Sequence, residues 1–125
     1  TPRAIQKAIR AGVKSIEHGQ LIDEETAKII AENDVWLSMQ PFLDDEDANP
    51  YPEGSENRAN QLIVSAGTDN AYSLAKKYNI KTAWGTDNLY SPRGAARQGA
   101  KLAKLVRWYS PAAVLKMATS THASL

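Results

Sequence analysis

Short β-rich runs alternate three times with longer helical stretches along this chain of 125 residues. The predicted strands are residues 13–17, 35–39 and 80–84, and the predicted helices before and between them are residues 2–11, 24–33 and 57–79. Each crossover is long enough to bring the next strand back in parallel, which is the pattern of βαβ units. The sequence therefore predicts an α/β fold with a parallel sheet.

Two more helices are predicted after the third strand, over residues 95–108 and 110–119, and the helix over 57–79 is expected to break near Gly67. A parallel barrel of eight βα units takes about 250 residues. Three units are well under half of that, and an isolated three-stranded sheet would leave two bare edges, which native proteins avoid. With Thr1 as its first residue, the chain is expected to be part of a longer barrel.

Composition excludes several classes of protein. The 15 basic and 14 acidic residues leave a net charge of +1, so a nucleic-acid partner is not expected. The absence of cysteine excludes disulfides and thiolate metal sites, and it fits a cytoplasmic protein without excluding export. No apolar run approaches the roughly 20 residues of a membrane span. Neither nucleic acid nor a membrane is therefore an expected partner.

A long loop over residues 41–56 is rich in Asp, Pro and Gly. A loop of that length without secondary structure is more often functional than idle in a compact domain. Its acidic segment, residues 44–47 (DDED), does not have the spacing of a calcium loop. We therefore expect it to be a solvated lid.

Two predicted strands stop at a potential metal ligand, His18 in residues 13–19 (VKSIEHG) and Asp87 in residues 81–88 (KTAWGTDN). Side chains at the carboxyl ends of parallel barrel strands converge on one site. Alternation is expected to place Ile16 with His18, and Ala83 with Asp87, on the barrel interior. A second Gly-Thr-Asp-Asn stretch contains Asp69, but it lies inside a predicted helix, so Asp87 is the preferred candidate.

Other polar residues near the strand ends receive weaker assignments. Alternation directs Glu17 toward the surrounding helices, where a buried carboxylate would need a lysine or arginine partner. His122, the only other histidine, is expected at the surface. Gln40, Asn88 and Tyr90 are candidate substrate contacts because they follow the ends of the second and third strands.

Three stretches together resemble the metal-dependent amidohydrolase superfamily, in particular its imidazolonepropionase-like and Xaa-Pro dipeptidase-like branch. Residues 11–19 (AGVKSIEHG) look like the sixth-strand motif of that branch, and residues 85–87 (GTD) look like its eighth-strand motif. Residues 110–119 (SPAAVLKMAT) look like the helix after strand eight. The order and spacing of the three agree across the whole sequence.

The resemblance implies that residues 1–125 are the carboxyl-terminal part of a TIM (β/α)8 barrel, strands six to eight. It implies that His18 is a zinc ligand, and that Asp87 binds metal and acts as the base that takes a proton from the attacking water. One or two divalent metal ions would be bound. The family's first-strand His-x-His pair, fourth-strand lysine, fifth-strand histidine and small β-sandwich have no counterpart here, so the chain alone is expected to be incomplete.

The leading function is metal-dependent hydrolysis of an amide-type C–N bond, in a dipeptide or an N-acyl compound. The alternative is a non-catalytic α/β fragment that persists as a homo-oligomer through its exposed sheet edges. A flavodoxin-like phosphate-binding domain is a third possibility. The lack of a glycine-rich phosphate loop after any predicted strand argues against it.

Overall fold

The computed structural model describes residues 1–88 and 91–125. Three parallel strands form one sheet in the order β1-β2-β3, with bounds Ser15–Glu17, Trp36–Met39 and Thr82–Trp84. The register pairs Ile16 with Leu37 and Leu37 with Thr82. The predicted parallel α/β arrangement is thus confirmed, with strands shorter than predicted.

Six α-helices are present in the described part of the chain: α1 Pro2–Arg10, α2 Glu24–Glu32, α3 Glu56–Lys77, α4 Pro92–Ala96, α5 Gln98–Lys104 and α6 Pro111–Lys116. Short 3-10 or π segments follow α5 and α6, at Leu105–Arg107, Met117–Thr121 and His122–Ser124. The helix predicted over 95–108 is therefore divided. None of the helices in these ranges is both long and apolar enough to span a membrane.

Each of the first three helices ends in the same kind of turn. The residue after the C-cap has positive φ, 93° at Gly12, 54° at Asp34 and 50° at Asn79. The next residue donates its backbone N–H to a carbonyl five positions back, for example Val35 to Ile30 at 3.1 Å. This is the Schellman arrangement, which satisfies carbonyls that a helix end leaves free. Three equivalent turns deliver the chain into the three strands in the same way.

The core lies between the sheet and the helices. Leu37 and Met39 of the central strand are fully buried. They belong to one apolar cluster with Ala27 and Ile30 of α2 and Tyr72 of α3. Burying side chains of this size stabilises a fold by about 1.5–3 kcal/mol each. The central strand is therefore the most firmly packed of the three, and it holds the position of Gln40, the residue that follows it.

The residues on each face of the sheet are not those predicted. Ile16 belongs to the helix-packed core, together with its register partner Leu37. Ala83 pairs with Ser38 and Ser38 with Glu17, so these three share the opposite face. Ile16 and Ala83 therefore lie on opposite faces, and the prediction that both point inward is wrong. Alternation fixes which residues share a face, but it does not say which face the helices cover.

Helix α3 runs without interruption through Gly67, where a break was predicted. A Cβ at this position would lie 2.5 Å from the backbone oxygen of Gln20 and 2.8 Å from a methyl carbon of Leu21. The glycine therefore permits close packing of α3 against the loop that follows β1. Nearby, Asn70 donates its amide to the backbone oxygen of Ile22 at 3.2 Å. Helix α3 thus holds the loop that begins at His18.

Replacing Gly67 with alanine is expected to lower the free energy of unfolding by about 1–3 kcal/mol, because a backbone oxygen cannot move aside as a side chain can. The matched control is Gly99→Ala in α5, where an added Cβ meets nothing within 4 Å. That change is expected to leave stability unchanged or to raise it by about 0.5 kcal/mol. Urea unfolding followed by tryptophan fluorescence measures both. Equal effects of the two changes would contradict the close-packing argument.

Candidate active site

Two strands end near side chains that can ligate a metal, and both side chains sit on a left-handed backbone. His18 directly follows β1 with φ 72°, and Asp87 comes shortly after β3 with φ 50°. Among the described non-glycine residues, the other positive φ values belong to Asp34 and Asn79, where a helix end accounts for them. Unusual backbone conformations of this kind concentrate at functional sites. His18 and Asp87 are thus marked by the backbone as well as by their chemistry.

A carboxamide fixes the imidazole of His18. Its Nδ1 lies 2.8 Å from Oε1 of Gln40, the residue that follows β2. Gln20 donates its own amide to the same oxygen at 3.4 Å and to the Gln40 backbone oxygen at 3.3 Å. Since Oε1 can only accept, Nδ1 is the donor in this contact, and in the neutral ring the lone pair is then on Nε2. This is the tautomer that a metal-binding histidine needs.

Of the two glutamines beside His18, the sequence singled out Gln40 but not Gln20. Gln40, which was predicted to contact substrate, is in contact with His18 and also lines a cavity, so its role toward substrate stays a prediction. Gln20 was not predicted, although both carboxamides are buried. A buried side-chain amide needs hydrogen-bond partners. The sequence does not show that these two amides, 20 positions apart, would be hydrogen-bonded to each other.

A cavity of about 580 Å³ opens at the carboxyl edge of the sheet. Its walls include Gln40, Phe42, Asp87 and Asn88, together with Asn60 from α3. This volume is in the range of small-molecule sites. His18 lines a separate hollow of about 250 Å³, and its ring faces that of Phe42 with the centroids 6.4 Å apart. Gln40 therefore stands between His18 and the cavity that contains Asp87.

The other two predicted substrate contacts have different outcomes. Asn88 lines the cavity, but its amide nitrogen donates to the Gly94 backbone oxygen at 2.7 Å, and its oxygen accepts from Lys101 at 2.5 Å. It thus joins the end of β3 to α4 and α5, and a role toward substrate stays a prediction. Tyr90 lies outside the described residues.

The acidic segment of residues 44–47, predicted to be a solvated lid, is solvated only in part, since Asp44 and Glu46 are exposed whereas Asp45 and Asp47 are not. The side chain of Asp47 is almost completely buried and pairs with Arg97 and Lys104, and Lys104 also lies 2.6 Å from Asp45. Asp44 forms a pair with Arg58 of α3 at 2.6 Å. Hydrogen bonding to Arg97 holds the pKa of Asp47 well below its usual range, more strongly than desolvation raises it. These pairs tie the loop over the cavity to α3 and α5.

Among the residues that the structure describes, Glu17 has no lysine or arginine partner of the kind predicted, and it lies on the face of the sheet opposite to the helix-packed core. It is exposed and accepts a hydrogen bond from Ser15 at 2.6 Å. Although desolvation raises its pKa, hydrogen bonds from Ser15 and Ser38 and the nearby rings of His18 and His122 lower it overall. His122 is exposed, as predicted.

Asp69 is a structural residue. Both of its carboxylate oxygens accept hydrogen bonds from Arg107 at 2.7 Å, and one also accepts from Trp108 at 2.8 Å. The hydrogen bonds from Arg107 and Trp108 lower the pKa of Asp69, against the opposing effect of desolvation. The contact joins α3 to the segment after α5, far along the chain from either strand end.

The capacity of the two strand ends to hold a metal ion depends on the donors that His18 and Asp87 supply. His18 and Asp87 offer an imidazole nitrogen and a carboxylate oxygen, which are the donors that zinc prefers among residues other than cysteine. Within residues 1–88 and 91–125, no group of three or more His, Cys, Asp or Glu side chains could enclose an ion. The donor chemistry fits zinc, while the number of donors falls short of the three protein ligands of a catalytic site.

No protein-family model and no curated protein matches the chain. Solved structures do match it. An amidohydrolase is 31% identical with a TM-score of 0.84, and the match covers 99% of this chain and 30% of that chain. A prolidase complexed with N-methylphosphonate-L-proline is 26% identical with a TM-score of 0.84, and the match covers 99% of this chain and 31% of that chain.

The chain therefore spans about three-tenths of the length of these similar proteins. Over nearly its whole length it matches amidohydrolase and prolidase structures, and the resemblance to the amidohydrolases that the sequence predicts is confirmed.

Proposed function

We propose that these residues form part of the active site of a metal-dependent hydrolase that cleaves an amide-type C–N bond in a dipeptide or an N-acyl compound. The observation that carries this proposal is the similarity of the whole chain to an amidohydrolase and to a prolidase. The left-handed backbone at His18 and Asp87, and the cavity beside Asp87, support it.

We further propose that the chain contributes strands six to eight of a (β/α)8 barrel, at its carboxyl-terminal side. His18 and Asp87 would then be two ligands of a zinc site whose remaining ligands lie outside these 125 residues. Within the described part, β1 and β3 are each paired on one side only. Those free edges would pair with the other barrel strands, or with another copy of the chain.

The roles of the residues follow from their chemistry. When bound, a divalent metal ion polarises the scissile carbonyl and lowers the pKa of water to about 7. Asp87, exposed at the cavity wall, would accept a proton from the attacking water and deliver it to the leaving amine. Gln40 would hold the His18 ring in its metal-binding tautomer through the contact at Nδ1. Asn88 and Tyr90 remain candidates for substrate contact.

Metal binding gives the direct test. We expect the full-length protein to bind Zn²⁺ in calorimetric titration, and His18→Ala to weaken the affinity by at least about 100-fold, since even changes next to a ligand cost 10–100-fold. His122→Ala is the matched control, because it removes the other histidine, which is exposed. We expect it to bind as the wild type does.

Chelator-sensitive hydrolysis of a dipeptide or an N-acyl amino acid would support the proposed activity. Equal zinc affinity in the wild type and His18→Ala would remove His18 from the site. Zinc binding without hydrolysis of any amide substrate would leave the metal site in place and overturn the proposed reaction.

A further inference from the structure

One face of α3 is apolar along the first half of the helix and exposed to solvent. Ala59, Leu62, Ile63 and Ala66 recur at the spacing of a single helical stripe about 100° wide, and we call these four residues the α3 stripe. All four are exposed, Leu62 at 42% and Ile63 at 56%. In the second half of the helix the same face is polar, with Asn70, Ser73 and Lys77.

The apolar surface continues from the α3 stripe onto Leu21, in the loop after β1. Leu21 is 44% exposed, and one of its methyl carbons lies 2.8 Å from the position that a Cβ on Gly67 would take. Gly67 follows Ala66 and is one turn beyond Ile63, so Leu21 lies beside the stripe. Single exposed apolar side chains are common on protein surfaces, whereas a contiguous apolar patch marks an interaction site.

Elements of this chain occupy the other sides of α3. Tyr72 belongs to the core cluster with the central strand, Gly67 packs against the loop after β1, and on the other flank Asp69 pairs with Arg107. Further barrel strands would join the sheet at its two outer strands, β1 and β3. The α3 stripe faces away from the sheet and is therefore not a surface that those strands would cover.

The α3 stripe is complementary to a second copy of itself. Two facing α3 helices related by a twofold axis run antiparallel, and an axis between Leu62 and Ile63 places Leu62 of one copy against Ile63 of the other. The same axis places Ala59 against Ala66. Large side chains then meet at the centre of the contact and small ones at both ends, so the two helices can approach closely along the whole stripe.

The charged residues beside the stripe fit the same arrangement. Arg58 and Asp69 lie along one edge of the stripe, and Glu56 and Asn70 lie toward the other edge. Because the twofold axis brings equivalent edges together, Arg58 of each copy comes beside Asp69 of the other, and Glu56 comes beside Asn70. Arg58 and Asp69 also pair within their own chain, and both keep exposed surface. The antiparallel contact therefore brings opposite charges together at both ends.

We propose that the α3 stripe is the surface through which two copies of this protein associate, with their α3 helices antiparallel. The inference goes beyond the proposed function and does not depend on the reaction. Gln61 and Val64, in the same turns of α3, line the 580 Å³ cavity, so the interface lies behind one wall of the candidate active site. The stripe covers only two turns, and we expect the surface around Leu21 to complete the roughly 800 Å² per partner that a stable dimer buries.

Sedimentation velocity of the full-length protein over a range of concentrations tests the proposal. The wild type is expected to have the mass of two copies or of a larger even number. Ile63→Glu places like charges opposite each other across the twofold axis, and it should weaken association at least about tenfold. Leu115→Glu is the matched control, because Leu115 of α6 is also exposed, at 62%, and lies outside the stripe. It should associate as the wild type does.

A mixing experiment identifies the occupant as a second copy. Ile63→Lys alone should be as dissociated as Ile63→Glu, whereas an equimolar mixture of the two should associate again, because opposite charges then meet across the axis. Circular dichroism checks that each variant is folded. The proposal is overturned if the wild type is a monomer, if Ile63→Glu associates as tightly as the wild type, or if the mixture stays as dissociated as its components. The measurement involves neither metal nor substrate, so its outcome is independent of the proposed reaction.

Discussion

In the full-length protein, replacing Asp87 with asparagine is expected to lower kcat for amide hydrolysis by about 10²- to 10⁴-fold, the contribution of a positioned general base. Asparagine has nearly the same shape, but it cannot accept a proton from water. It is also a weaker metal ligand than a carboxylate, so zinc affinity should fall as well. The assay is release of the amino acid from a dipeptide, with zinc present in excess so that loss of metal does not account for loss of rate.

The chain supplies its own control for this change. Asp69 lies in the other Gly-Thr-Asp-Asn stretch, with the same neighbours in sequence, but it sits on α3 and pairs with Arg107 and Trp108. Asp69→Asn should leave kcat unchanged and reduce stability by less than about 1 kcal/mol, as expected for a half-exposed ion pair. If both variants lost activity equally, or if Asp87→Asn kept full turnover, Asp87 would not be the base.

Features that depend on neighbours in sequence were predicted well. The Asp23 side chain accepts from the Thr26 backbone N–H at 2.8 Å, and Ser110 accepts from that of Ala113 at 3.3 Å, so each caps the start of a helix that the sequence predicts. The strands and their parallel order follow from runs of β-forming residues separated by long crossovers. Local chemistry determines these features, and it can be read directly from the sequence.

Features that depend on distant contacts were predicted poorly. Gly67 was predicted to break a helix because glycine is a poor helix former. The structure shows that a side chain here would collide with the Gln20 backbone, a contact that forms only when the chain folds. Asp47 looked solvated because its partner Arg97 is 50 positions away. At the site, His18 and Asp87 could be proposed from their strand ends, but the tautomer imposed by Gln40 and Gln20 required coordinates.

Asp47→Asn is expected to lower the free energy of unfolding by about 1.5–3 kcal/mol at pH 7, because it removes the buried carboxylate shared by Arg97 and Lys104 and leaves them only the more exposed Glu46 and Asp45. The side chain of Asp47 is 5% exposed and that of Lys104 is 14% exposed, so water has little access to replace the lost contact. Asp44→Asn is the matched control in the same segment. Asp44 is 45% exposed, and we expect little change in stability when it is replaced.

The effect of Asp47 should depend on pH in a defined direction. Its pKa in the folded protein is held below its usual range, chiefly by the Arg97 hydrogen bond, whereas an unfolded chain has an aspartate pKa of about 3.9. The unfolded state therefore takes up the proton first, and the stabilisation is fully present above about pH 4. It is lost as the pH falls from there through the lower folded-state pKa.

Urea unfolding of the wild type and Asp47→Asn should consequently differ most at neutral pH, and the two stabilities should converge toward pH 2. If the difference in the free energy of unfolding stayed constant down to pH 2, the variant would be destabilised by altered packing and not by the loss of the carboxylate charge. Because the pair holds a loop that lines the cavity, the variant should also bind a dipeptide substrate more weakly at neutral pH. The same loss of affinity in Asp44→Asn would assign it to the segment as a whole instead of to the buried pair.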